Sequence, residues 1–282
     1  MPMSLIEHFT AAFHLPLPLH AAPLVQCLTN EISVESVANA LLAINAKPVM
    51  ADDLREITGF MAQSDAVLLN LGHLSADREA SIRLASQAAQ AQQRPVVIDL
   101  VGIGASPIRA QLGQQLLAEK PMVVKGNLGE LRHLVGLPSQ ARGVDNSQAD
   151  SADLALAGLA HRLQTFAQAY PHTVFLATGP TDIVATATTA WRLDNGVAQL
   201  DRFTGTGDIV GALIAALLGS GLAALPATVL AVSYFNRCGE AAALLASKAG
   251  LATFRLNVFD QLSQLGQDPE WFLAVKGENY GS

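Results

Sequence analysis

The sequence predicts a layered, doubly wound α/β fold around a mostly parallel sheet, on three observations. Four short apolar runs end at or just past a polar residue or glycine: Ala66–Gly72, Pro95–Gly102, Met122–Asn127 and Thr173–Gly179. Their uninterrupted Val, Ile and Leu content is that of strands buried on both faces, as in parallel sheets. Segments of helical periodicity alternate with them, and strand followed by helix followed by strand is the signature of crossover units of the usual hand. The composition, 50% hydrophobic and 15% charged over 282 residues, supplies apolar surface for a large core or for subunit contacts.

Taken in chain order, Ser33 is a candidate N-cap for a helix whose apolar face is Val34, Val37, Ala38, Leu41 and Leu42. The Ala/Gln-rich stretch Arg83–Gln93 reads as a helix between the first two strands, and Glu130 falls in the first turn of a helix after the third. The polar segment GVDNSQAD (143–150) reads as a loop, and Ser151 opens a helical pattern that runs to about Ala169. Ile209–Phe235 carries no charged side chain until Arg237, but GSGLAALPAT interrupts it and Pro226 suits a second helix start. Two buried core helices are therefore expected rather than a membrane span. The polar tail from about residue 267 is expected to fray, and residues 1–282 otherwise read as one domain.

The net charge of −7 gives no broad positive field, which argues against nucleic acid as a partner. Any anionic ligand must be held by local devices. Cys27 and Cys238 are the only cysteines and stand far apart, so neither a disulfide framework nor a thiolate metal site is expected, and a reducing cytoplasmic setting fits. The first twenty residues lack a basic segment followed by a clean apolar run, so no secretory signal is expected. The seven histidines form no HxH or HExxH set, which disfavours a zinc hydrolase.

The strongest chemical signal is Phe203-Thr204-Gly205-Thr206-Gly207-Asp208 ahead of the apolar helical pattern IVGALIAALL. Gly205, Thr206 and Gly207 permit a tight turn whose helix-start N–H groups form an anion hole. Asp208 stands beside it as a candidate base for a hydroxyl that attacks a phosphoryl group. A simple helix cap would also place an acid there. Lys125-Gly126-Asn127-Leu128-Gly129-Glu130 puts an ammonium, an amide and a carboxylate at a strand-to-helix turn. Such a turn suits phosphate and a hard cation with oxygen ligands. Asp99 closes the strand PVVID as a possible second carboxylate, and Thr178 ends another strand before Gly179-Pro180. Ligands gather at the carboxyl ends of strands in open α/β sheets, where Asp99, Asn127 and Thr178 lie. No GxxxxGK[ST] loop occurs, and Pro107 breaks the dinucleotide pattern begun by Gly102 and Gly104.

Read together, PLVQCLTN, VANALLAINAKPVM, LLNLGHL, VVIDLVGIGAS, VVKGNLGE, LATGPTDIV, FTGTGD and TFRLNVFDQL resemble, in order and spacing, the hydroxyethylthiazole kinases of the ribokinase-like superfamily. The resemblance spans about Pro23 to Leu265. It implies a three-layer α/β/α fold with a mostly parallel central sheet, and a homotrimer with sites between subunits. It also implies Mg2+- and ATP-dependent phosphorylation of the small-molecule alcohol 4-methyl-5-(2-hydroxyethyl)thiazole for thiamine salvage. Carried over by position, Met50, Gly205 and Asn30 would meet the thiazole, Lys125 and Thr178 would serve ATP, and Asp99 and Glu130 would manage the metal. The chain departs from the family's usual pattern at Lys125 (commonly Arg), Leu100 (commonly Pro), His73 (commonly Thr) and the Ala51-Asp52-Asp53 that follows Met50. Asp208 replaces a common Cys. An ordinary thiol is mostly protonated at neutral pH, whereas an ordinary carboxylate is ready to accept a proton. Two further functions stay open at this point: a related kinase for a hydroxymethylpyrimidine or pyridoxal-like alcohol, and an idle binding protein of the same fold.

Overall fold

The computed structural model describes residues 4–138, 153–246 and 249–280. Nine strands form one sheet in the order β2-β1-β3-β4-β5-β6-β7-β8-β9. They are β1 (Leu24–Leu28), β2 (Lys47–Val49), β3 (Ala66–Asn70), β4 (Val96–Asp99), β5 (Val123–Asn127), β6 (Val174–Thr178), β7 (Asp182–Ala185), β8 (Ala190–Leu193) and β9 (Gly277–Asn279). The first six are parallel and the last three continue antiparallel. The four apolar runs are thus strands β3 to β6, each trimmed by one to three residues at an end. The loop GVDNSQAD and the helix start at Ser151 lie outside the described residues, and that helix is described over Asp153–Ala167.

The two-residue period of each strand sorts its side chains into two cores. Leu68, Val97, Val123, Leu176 and Val184 face the helices Val34–Ala43, Thr206–Gly219, Ala224–Leu245 and Leu251–Gln264. Val67, Leu69, Ile98, Val124, Phe175 and Ile183 face Ala76–Ala91, Pro107–Ala118, Leu128–Leu134 and Asp153–Ala167. Helices on both faces of a mostly parallel sheet make three layers, as expected. The helix Thr206–Gly219 is buried from Asp208 to Leu218, which explains an apolar character all round its axis. Its partner Ala224–Leu245 starts after Gly221, whose φ of +98° turns the chain, and carries Pro226 in the first turn, where no intrahelical N–H is needed. Among the described residues no helix is long and apolar enough to cross a membrane.

Two local expectations change. Ser33 does occupy the cap position of the Val34–Ala43 helix, but its side chain makes no cap bond. Its Oγ donates instead to the Asn30 carbonyl at 3.1 Å, an alternative open to any short hydroxyl side chain near a turn. The segment expected to fray after Gly266 packs down. Trp271 meets Phe13 and Tyr234 edge-on, Phe272 stacks on Phe13, and Gly277–Asn279 pairs with β8. Burying one such large apolar side chain contributes about 1.5–3 kcal/mol, enough to offset the ordering of one or two residues.

Candidate active site

The parallel pairing of β3, β4 and β5 aligns three polar residues in one row, with Asn70 opposite Asp99 and Asp99 opposite Lys125. Each is two residues beyond an apolar side chain of the Thr206–Gly219 face (Leu68, Val97 and Val123), so all three project toward that helix. All three are buried, Asn70 completely. The Lys125 Nζ lies 2.7 Å from Asp99 Oδ2, an ion pair held out of solvent. Burial pushes the Asp99 carboxyl up, Lys125 pulls it back down, and the charge of Asp208 adds to the rise.

Above this row the helix Thr206–Gly219 begins. Gly205 is its N-cap with φ +97°, a conformation that favours glycine, and a Cβ there would stand 3.1 Å from Ser33 Cβ. The N–H groups of Thr206, Gly207 and Asp208 precede the first intrahelical bond, from Ile209 N to the Gly205 carbonyl, so the turn has the form of an anion hole. A Cβ on Gly207 would lie 3.5 Å from Lys125 Nζ, which places that ammonium beside the Gly207 backbone. Asp208, 6% exposed, accepts from Asn70 Nδ2 at 2.8 Å through Oδ1 and from Asn30 Nδ2 at 3.3 Å through Oδ2. Its oxygens thus go to carboxamides of the sheet edge rather than to its own helix's amides.

Glu130 ties the turns after β4 and β5 together. Its Oε1 accepts from Gly102 N at 2.6 Å and its Oε2 from Asn127 N at 2.7 Å, while Asn127 Oδ1 accepts from Glu130 N at 2.8 Å to complete a capping box. Burial and the charge of Asp99 push Glu130 up to about 7. Leu100 follows Asp99 and donates its N–H to the Lys125 carbonyl at 2.8 Å, a bond that a proline there could not make. Thr178 ends β6 opposite Asn127 and its Oγ1 donates to the Gly126 carbonyl at 3.3 Å. Met50, half-buried, follows β2 on the same edge of the sheet that carries Asn30, Asn70 and Asp99. His73, with φ +51°, stands with Nε2 3.6 Å from Glu31 Oε2, so the loops after β1 and β3 meet beside Asn30.

The sequence-derived residues therefore fall in three places along one edge. Asp99, Lys125, Asn30 and Asp208, linked through Asn70, form one hydrogen-bonded cluster under the Gly205–Gly207 turn, Glu130 and Thr178 flank it on the β5–β6 side, and Met50 lies just past the outer strand β2. Two residues escaped the sequence reading. Asn70 bridges Asp99 and Asp208, with Nδ2 at 3.0 and 2.8 Å; the available signal was a polar residue ending an apolar run, the same one that marked Asp99. Asp182 accepts from Gly179 N at 3.0 Å and Asn236 Nδ2 at 2.7 Å, bracing the turn after Thr178. Burial, with a smaller part from Asp194, pushes it up to about 7.

Among the described residues no group of three or more His, Cys, Asp or Glu could enclose a metal ion. The donors fit a hard cation that brings its other oxygens with it: Asp99 Oδ1 is a buried carboxylate oxygen with no hydrogen-bond partner, and Glu130 supplies a second carboxylate nearby.

A family model described as the hydroxyethylthiazole kinase family matches residues 19–268. The hydroxyethylthiazole kinase of Lacticaseibacillus casei is 57% identical over 278 residues, with 99% of each chain covered, and that of Enterococcus faecalis is 52% identical, covering 94% of this chain and 97% of its own. Among solved structures, the hydroxyethylthiazole kinase protein from Pyrococcus horikoshii superposes with a TM-score of 0.79 at 28% identity, covering 97% and 98% of the two chains. The Bacillus subtilis pyridoxal kinase, solved as an ADP complex, superposes with a TM-score of 0.58 at 16% identity over 77% of this chain and 92% of its own, a likeness of fold alone. On the match of the family model over most of the chain and the identity to these relatives, the chain belongs to the hydroxyethylthiazole kinase family and is a phosphotransferase that acts on an alcohol.

Proposed function

We propose that the chain transfers the γ-phosphoryl group of ATP, with Mg2+, to the hydroxyl of 4-methyl-5-(2-hydroxyethyl)thiazole, yielding its phosphate for thiamine salvage. The observation that carries this reading is Asp208, buried beside the Gly205–Gly207 amides with both oxygens turned to the sheet edge. In that position it accepts the proton of the attacking hydroxyl while the amides of Thr206 and Gly207 take up charge on the transferring group. Lys125 adds a fixed positive charge from below and Thr178 serves the nucleotide from the β6 end. Asn30, Met50 and Gly205 line the alcohol's side. Asp99 and Glu130 manage Mg2+, which neutralises phosphate charge when bound.

A homotrimer with sites shared between subunits is part of the proposal, as is a cytoplasmic location. Ile32, two residues from Asn30, is 70% exposed, and Leu54, four from Met50, is 44% exposed, apolar surface beside the site that a second subunit would cover. The direct test is phosphoryl transfer from labelled ATP to a panel of the thiazole alcohol, a hydroxymethylpyrimidine and pyridoxal. Labelled product is expected with the thiazole alcohol foremost; product from pyridoxal alone would redirect the assignment. Glu130→Gln and Asp99→Asn are expected to shift the Mg2+ dependence of turnover to higher concentration more than they weaken thiazole binding. Unchanged Mg2+ curves in both would remove these two residues from the metal's care.

A further inference from the structure

We propose that Asn70 is the positioning residue of this site, the group that fixes the Asp208 carboxylate for proton acceptance and holds it apart from Asp99. The inference rests on the reading of Asp208 as the base. Asn70 is wholly buried and each end of its carboxamide is assigned. Gly72 N donates to Oδ1 at 2.7 Å, so the acceptor end is spoken for and Nδ2 must face the carboxylates. The two hydrogens of Nδ2 are then divided between Asp208 Oδ1 at 2.8 Å and Asp99 Oδ2 at 3.0 Å. Asp99 Oδ2 takes Lys125 as well, so a continuous chain runs Lys125, Asp99, Asn70, Asp208, Asn30.

Two carboxylates this close would repel, and bringing them to a single shared proton would spoil a base. A carboxamide between them donates one hydrogen bond to each and adds no charge of its own, so it orients the Asp208 carboxylate and spaces it from Asp99. Asn30 cannot substitute for it. Its contact with Asp208 is longer, 3.3 Å, and its side chain is half-buried in the loop after β1 rather than in the strand row. Asn70 is anchored by the β3–β4 register, which sets it opposite Asp99. Rigid strand placement of the donor is what gives the carboxylate one orientation.

The test is a double-mutant cycle on the full chain with ATP, Mg2+ and the best alcohol of the panel. Asn70→Ala is expected to lower kcat by about 10²-fold while KM for ATP and for the alcohol stay within about threefold, since the loss is of alignment rather than of binding. In an Asp208→Asn background the same change is expected to move the residual rate by less than about threefold, because its target is gone. A group that merely holds the fold would depress both backgrounds alike and raise both KM values, which overturns the proposal. Asn70→Ser keeps a hydroxyl donor in the buried site and enters the same cycle if the alanine variant fails to fold; an intermediate kcat is expected, and wild-type kcat in either variant overturns the proposal. If Asp208→Asn itself turns over at the wild-type rate, the base is misassigned and the inference falls with it. If Asp208→Asn is inactive while Asn70→Ala is unimpaired, the base stands and only the role of Asn70 fails.

Discussion

At Asp208 the cap and the base make opposite claims about one residue. A carboxylate that only complements the helix dipole contributes about 1 kcal/mol or less, and Asp208→Asn would leave turnover nearly unchanged. As the base, its loss is expected to lower turnover roughly 10²–10⁴-fold with binding of alcohol and ATP retained. Steady-state kinetics on the folded variant decide between them. Asp208→Cys is expected to be slower than wild type and to gain as pH rises and thiolate forms. Asp182 offers a second residue-level outcome. Its folded carboxyl is pushed up to about 7 from an ordinary 3.8, so the folded chain keeps a proton that the unfolded chain releases. Stability from this group is therefore highest in acid and falls as pH rises between about 4 and 7. Urea unfolding is expected to show wild type losing its advantage over Asp182→Asn across that interval; a constant difference would contradict the burial effect. Asp208 and Asp99 were legible because each carries charge at the end of an apolar run or of a glycine turn. Asn70 was not, because an uncharged amide before Leu71-Gly72 reads as a turn residue, and its partners appear only when β3 and β4 pair.

The element on which the site depends is the start of the Thr206–Gly219 helix. Gly205 holds φ +97° with Ser33 Cβ close to where its own Cβ would fall. Alanine in left-handed backbone costs about 1–2 kcal/mol, and relief of the contact must move either the Val34–Ala43 helix or the anion hole. Gly205→Ala is expected to lower Tm and to reduce kcat together; thermal melting with kinetics checks both, and an active variant of unchanged Tm would show that the turn tolerates a side chain. The central elements were legible from pattern, since runs of Val, Ile and Leu buried on both faces belong to β3–β6 and little else. The antiparallel β7, β8 and β9 were not. They are only three or four residues long, and Asp182, Arg192 and Glu278 interrupt their apolar character. Nothing local in DIVA or GEN specifies a strand; hydrogen bonding to a neighbour does.

For the whole molecule, the quantity to measure is mass in solution. Light scattering at micromolar protein is expected to give a trimer, and a fully active monomer would sink the idea of shared sites. The tail shows why the far edge of the molecule was misread from sequence: Trp271–Val275 is a five-residue apolar run between polar segments, and partners such as Phe13 and Tyr234, more than 250 and about 40 positions away, make its aromatics core. β9 has a consequence beyond closing that core. It covers Trp191, Arg192 and Leu193 of β8, whose outer N–H and C=O groups would otherwise form an open rim. A chain cut after Gly266 would keep the catalytic residues yet present that rim as a template for the same rim on another copy. Such a truncation is expected to fail by assembling edge to edge into polymers, with activity lost to the pellet before it is lost from the site.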